Sequence, residues 1–157
     1  NGDVVHMTSY APLLAKERHT QWNPDLIYFN NREVKPTTGY YVQKLYGQNA
    51  GNEYLPSKIV LDNKDDKVRK RFASSIVRDS VSGDVIVKLV NLLPVEVNTN
   101  VDLSGIGAVQ PSAKRTVLTG KPTDTPLPVE DRIQIAEKFD CNLPAYSFTV
   151  IRIQKAN

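Results

Sequence analysis

The chain is poor in the residues that most often carry covalent cross-links or chemistry. Its 157 residues include one cysteine, two histidines, one methionine and one tryptophan. Cys141 is alone, so no internal disulfide can form. As a nucleophile it would need a histidine base, and His6 and His19 lie far away in sequence. Flanked by Phe139 and Leu143, Cys141 reads as a buried structural thiol. Cys and His nowhere show zinc spacing, and no metal or cofactor is expected. The phosphate loops GxGxxG and GxxxxGK[ST] are both absent. No apolar run reaches the ~18 residues of a membrane-spanning helix. An Asn-x-Ser/Thr acceptor and a signal-peptide pattern are missing too. Charge of one sign is scarce: 20 basic and 17 acidic residues leave +3, too small an excess to argue for nucleic acid. The chain opens Asn-Gly-Asp rather than Met, which reads as an excised piece of a longer protein.

What is present changes character near residue 51. The opening stretch VVHMTSYAPLL (4–14) is apolar on both faces for much of its length, the pattern of a parallel strand covered on two sides. A polar loop containing Trp22 follows, then a second apolar run, DLIYFNN (25–31), then a helix over PTTGYYVQKLYGQ (36–48). Pro36 suits a first turn, Thr37 or Thr38 can cap, and Gly47 or Gly51 can end the helix. Tyr41 and Leu45, and Val42 and Tyr46, form one apolar stripe. Strand, loop, short run and helix make one βα unit. A (β/α)8 barrel, whose active face is built from the loops after its strands, needs ~250 residues.

After residue 51 the period becomes two. VEVNTNVDL (95–103) alternates cleanly, with Val95, Val97, Thr99, Val101 and Leu103 on one face. DVIVKLVN (84–91) places Val85, Val87 and Leu89 inward. FASSIVRD (72–79) precedes it across a short turn in which Gly83 can take a positive φ. SKIVLD (57–62), KRTVLTG (114–120), DRIQIAEKF (131–139) and AYSFTVIRI (145–153) read as further strands. Ten prolines and eight glycines supply the turns. The expected fold is mainly β: an antiparallel, jelly-roll-like β-sandwich over 52–157, preceded over 1–51 by a strand-loop-helix remnant of a (β/α)8 barrel.

Chemistry-bearing clusters are few. DNKDDK (62–67) has the oxygen density that calcium prefers, but its lysines oppose a cation and it reads as an exposed turn. KVRKR (67–71) reads as the solvated start of a strand, with a polyanion patch as the alternative. His6 lies mid-strand, where a satisfied core histidine and an active-site residue at a barrel strand end both fit. Trp22 is a sugar-stacking platform or packing at the foot of its loop. A glycosidase needs two carboxylates about 5–5.5 Å apart for retention, or about 6.5–9.5 Å for inversion. The acids here sit in turns or on an outward strand face, and no catalytic pair presents itself.

DVVHMTSYAPLLA, WNPDLIYFNN and PTTGYYVQKLYG together resemble the end of the catalytic barrel of family 51 glycoside hydrolases, the α-L-arabinofuranosidases. FASSIVRDSVSGDVIVKLVNLLPVEVNTNVDLSG, TVLTG and LPAYSFTVIRI resemble that family's C-terminal sandwich. The resemblance implies a retaining mechanism with two glutamates on barrel strands that precede residue 1. This chain would then carry no catalytic residue and would brace the upstream barrel. The parent would remove terminal α-L-arabinofuranosyl residues from arabinose-containing polysaccharides or oligosaccharides. His6, Thr8 and Tyr10 share one parity, and His6, Tyr10 and Trp22 would line the sugar pocket of the full enzyme. The family sandwich also takes a strand from the protein's N-terminus, so an open edge here could pair with another copy as a homo-oligomer. The compartment stays open, a secreted or periplasmic parent being one expectation. Two other readings remain. An independent carbohydrate-binding module requires exposed aromatics on one sandwich face. Yet after residue 51 there are only Tyr54, Phe72, Phe139, Tyr146 and Phe148, the last three in strand patterns that read as core. A small self-sufficient enzyme requires the missing carboxylate pair.

Overall fold

The computed structural model describes residues 3–120 and 125–156; the Asn1-Gly2 start, read above as an excised end, lies outside them. The chain runs β1 (Leu14–Lys16), β2 (Ile27–Phe29), β3 (Val34–Pro36), α1 (Thr38–Gln48), β4 (Glu53–Leu55), α2 (Asp66–Arg69), β5 (Phe72–Arg78), β6 (Val85–Asn91), β7 (Val97–Asp102), β8 (Val109–Thr119), β9 (Val129–Gln134), β10 (Lys138–Leu143) and β11 (Ser147–Lys155). A six-stranded antiparallel sheet, ordered β4-β5-β6-β11-β8-β9, faces a two-stranded sheet of β10 and β7. The expected antiparallel sandwich is therefore the architecture of the second part of the chain. A separate small sheet, β1-β2-β3, precedes α1, and its β1–β2 pair is parallel.

Two apolar clusters hold the sandwich part. Between the sheets, Val85, Val87, Ile151 and Ile153 of the large sheet meet Val101, Phe139, Cys141 and Leu143 of the small one. Ile151 and Val87 are fully buried, and each such side chain contributes about 1.5–3 kcal/mol by leaving water. On the other face of the large sheet, Ile86, Leu118, Phe148 and Val150 receive Leu45 of α1, with Tyr41 and Val42 packed alongside. The predicted helical stripe is the face that docks. Tyr46 stacks on Phe148 with ring centroids 4.8 Å apart.

Local chemistry sets the ends of α1. Thr37 is the N-cap, its Oγ1 accepting from the Tyr40 N–H while donating to the Leu26 carbonyl at 2.7 Å. The C-terminal end is closed by Asn49, not by Gly47 or Gly51. The Asn49 backbone N–H and side-chain amide both donate to the Leu45 carbonyl. Gly51 serves another purpose: a Cβ there would stand 2.7 Å from the Arg78 carbonyl, so only glycine lets the chain leave α1 this close to β5. The β5–β6 turn is as expected, with Gly83 at φ +78°. Arg152 clamps it from β11 through Asp84 at 2.6 Å and Asp79 at 3.2 Å.

Four expectations are corrected. The stretch 5–10 forms no ladder; pairing starts only at Leu14. Its residue types suit a strand with neighbours, but no strand among the described residues lies beside it. SKIVLD does not pair either. The edge strand is Glu53–Leu55, and Pro56, lacking an N–H, ends it. Residues 67–71 begin as the short helix α2, capped by Asp65, rather than as a strand. Tyr146 is not core: it is 38% exposed in a left-handed turn at φ +49° before β11.

Candidate functional site

The residues singled out for substrate contact lie in the first part of the chain. His6 is exposed in the unpaired stretch, so its parity with Thr8 and Tyr10 does not translate into one shared strand face. Tyr10 is brought to the Trp22 loop, its hydroxyl donating to the Pro24 carbonyl at 3.5 Å. His6 is not joined to them.

The Trp22 loop is a polar knot. Thr20 Oγ1 accepts from the Trp22 backbone N–H at 3.1 Å and lies 3.2 Å from Asp25 Oδ2. The Asp25 backbone N–H donates to the Tyr28 hydroxyl at 2.9 Å, and that hydroxyl donates to Asn23 Oδ1 at 2.8 Å. This knot fixes the backbone on both sides of Trp22, whose side chain is left 67% exposed. An aromatic ring held outward by a rigid loop has the form of a stacking surface. The amino acids that build the knot all lie in TQWNPDLIYF (20–29), but their mutual bonding has no periodic signal.

Carboxylates converge in pairs at two places among the described residues, and the alternation of the sequence shows neither. Glu17 and Glu33 converge on Lys35, whose Nζ stands 2.8 Å and 3.0 Å from them. Asn30 Nδ2 also donates to both. The hydrogen bond to Lys35 holds each carboxyl below its ordinary value, and it raises Lys35 in return. A glycosidase acid must hold a proton near neutral pH, which requires a shift the other way. Glu17 and Glu33 are thus a structural triad with Lys35.

In the sandwich the second pair, Asp79 and Asp84, is held in the same way by Arg152. A cleft of about 390 Å³ opens between Glu53, Arg78, Ile106, Val109 and Lys155. Its carboxylate is Glu53, engaged by Arg78 at 3.4 Å. Burial pushes the Cys141 thiol up, which removes it as a nucleophile. The exposed aromatics of this part, Tyr54 on edge strand β4 and Tyr146 in the turn before β11, sit on separate elements. Among the described residues no cluster of His, Cys, Asp and Glu could hold a metal ion, and DNKDDK is an exposed stretch in which Asp65 caps α2.

Comparison with known proteins places this arrangement. Over 58 residues the chain is 53% identical to the extracellular exo-α-L-arabinofuranosidase of Streptomyces chartreusis, covering 37% of this chain and 7% of that protein. Over 161 residues it is 31% identical to α-L-arabinofuranosidase 2 of Arabidopsis thaliana, covering 95% of this chain and 23% of that one. An arabinose-bound family 51 α-L-arabinofuranosidase structure superposes with a TM-score of 0.86 at 30% identity, over 99% of this chain and 25% of the other. The chain therefore spans about a quarter of the length of the relatives it matches from end to end. The model of the α-L-arabinofuranosidase C-terminal domain matches residues 1–149, and the chain belongs to that family.

Proposed function

We propose that this chain is the C-terminal, non-catalytic part of a retaining α-L-arabinofuranosidase that removes terminal α-L-arabinofuranosyl residues from arabinose-containing polysaccharides. Residues 1–51 would complete the catalytic barrel as its last βα unit, and 52–157 would brace it. The observation that carries this reading is the surface of the first part. Val4, Val5, Met7, Leu13, Leu14 and Trp22 are all more than half exposed, beside a parallel strand pair whose edge strand β1 is open. Parallel sheets are normally covered on both faces, so such a surface calls for more sheet. The unpaired stretch 5–10 fits the same account: it would become a ladder strand beside the preceding barrel strand. Tyr10 and the Trp22 loop would then lie on the barrel's active face, with His6 on the incoming strand.

The test is hydrolysis of an aryl α-L-arabinofuranoside. The full-length protein should turn it over with retention, and the 157-residue chain should give nothing above a matched blank. Turnover by this chain alone would refute the assignment. In the full-length enzyme, Trp22→Ala should raise KM for arabinan fragments several-fold while leaving the aryl arabinoside nearly unaffected. A KM for arabinan fragments unchanged from wild type would remove Trp22 from the site.

A further inference from the structure

The positive excess of the chain falls in one short stretch. Residues 58–71 set six cations, Lys58, Lys64, Lys67, Arg69, Lys70 and Arg71, against three carboxylates, Asp62, Asp65 and Asp66, and the complete sequence has a net charge of +3. The remainder of the chain is therefore balanced. All six cations are exposed, and the ion pairs among the described residues use none of them. Like charges held this close repel one another, so the cluster does not help the fold. The segment is nonetheless fixed. The Ser57 and Ser74 hydroxyls lie 3.2 Å apart before it, and Asn63 Oδ1 accepts from the Asp65 N–H at 2.8 Å. Asp65 caps α2, and the Arg71 carbonyl accepts from the Leu92 N–H at 2.8 Å. Between the loop and α2 lies an open groove of about 350 Å³ lined by Ile59, Leu61, Asp66, Arg69 and Lys70.

We propose that this groove binds a uronate residue of an acidic polysaccharide, while the other cations of the segment attract further uronates of the same polymer. Arg69 and Lys70 supply charged donors for the sugar carboxylate. Ile59 and Leu61 offer an apolar floor to the C–H face of the ring. Asp66 decides the class of ligand. A carboxylate in the groove repels a phosphodiester chain, but it accepts hydrogen bonds from the hydroxyls of a sugar. Single-stranded nucleic acid also finds no ring to stack on, since residues 56–71 contain no aromatic. The use of such a surface rests on the reading above. A non-catalytic part that holds an acidic polysaccharide keeps the catalytic barrel beside arabinosyl groups carried by the same polymer.

The experiment titrates the full-length protein with polygalacturonate in a calorimeter. Binding should appear at low ionic strength and be lost at about 0.5 M salt. The carboxyl-reduced, neutral polymer should not bind. Arg69→Gln together with Lys70→Gln should weaken binding about tenfold. Asp66→Ala should also weaken it several-fold, although it makes the surface more positive. No binding by the wild type, equal binding of the neutral polymer, or an unchanged affinity in the double variant overturns the proposal. Unchanged or tighter binding by Asp66→Ala overturns it too, because the surface is then a bare polyanion patch. The two variants are independent, so one that fails to fold leaves the other to decide. Turnover of an aryl α-L-arabinofuranoside without polygalacturonate binding removes this proposal alone. Binding without turnover removes the arabinofuranosidase reading alone.

Discussion

Replacing Asn91 by alanine should cost about 3–5 kcal/mol of stability. The side chain is completely buried at the end of β6. Its Nδ2 donates to the carbonyls of Val95, Leu143 and Pro144 at 2.9, 3.1 and 2.9 Å, and its Oδ1 accepts from the Leu93 N–H at 3.0 Å. One amide thus joins the β6–β7 turn to the β10–β11 turn. Two N–H bonds and one acceptor, at about 1 kcal/mol net each, give about 3 kcal/mol. A carbonyl left buried, such as that of Leu143, adds about 1–2 kcal/mol. Urea unfolding followed by far-ultraviolet circular dichroism measures the change, with a fall in thermal midpoint of roughly 10 °C expected alongside. Asn91→Asp sharpens the test. It keeps the acceptor for Leu93 but sets a carboxylate oxygen among three carbonyls, so it should be less stable than the alanine variant at neutral pH. That carboxyl would be raised in the fold, so its burden is greatest at neutral pH and eases as pH falls and it can donate again. A loss under about 1 kcal/mol for the alanine variant would mean that the two turns hold without this amide, and the reasoning would fail.

Two further predictions concern the face between α1 and the large sheet. Leu45→Ala empties the side chain that fills this cluster and should cost about 2–4 kcal/mol, read by urea unfolding; a loss below about 1 kcal/mol would show that α1 contributes little to the fold. Lys88, 4% exposed with its Nζ 5.7 Å from the centre of the Tyr46 ring, is held below its ordinary value by burial. Its charged form is disfavoured in the fold, so the penalty is fully present below the lowered folded pKa and disappears as pH rises from there towards the unfolded value. Lys88→Met should therefore stabilise by about 1 kcal/mol at pH 7, with the advantage shrinking towards pH 10, as thermal melts across that range would show; destabilisation at pH 7 would mean the cation–ring contact outweighs the burial cost.

The strands legible in the sequence are the long ones of the sandwich; β1 to β4 also pair inside the chain, but at three residues each they are too short to show alternation. β5, β6, β7, β8 and β11 lie where alternation predicts them, because each pairs with a neighbour among the described residues. DRIQIAEKF reads as one strand but is divided: β9 ends at Gln134 in the large sheet and β10 begins at Lys138 in the small one. The pattern does not show the crossing, because Ile133, Ile135 and Phe139 all reach the same core from either side of it. Asn91 was invisible for another reason. An asparagine at a strand end is an ordinary turn residue, and its bonds to Leu143 and Pro144 span more than fifty positions. The Glu17–Lys35–Glu33 triad was missed likewise, since β1 and β3 meet it only through the fold of the small sheet.

β6 carries the signal that binds the two parts of the chain. Alternation in VIVKLVN puts Val85, Val87 and Leu89 on one face, yet Ile86 and Val90 between them are apolar as well. A strand with one wet face would alternate with polar residues; one apolar on both faces needs cover on both. The small sheet covers one side, and α1 covers the other through Leu45. The helix is therefore shared property: its N-cap Thr37 is bonded to Leu26 at the start of β2, while its buried stripe belongs to the sandwich. That two-sided strand, more than any single motif, packs α1 and the two sheets into one body.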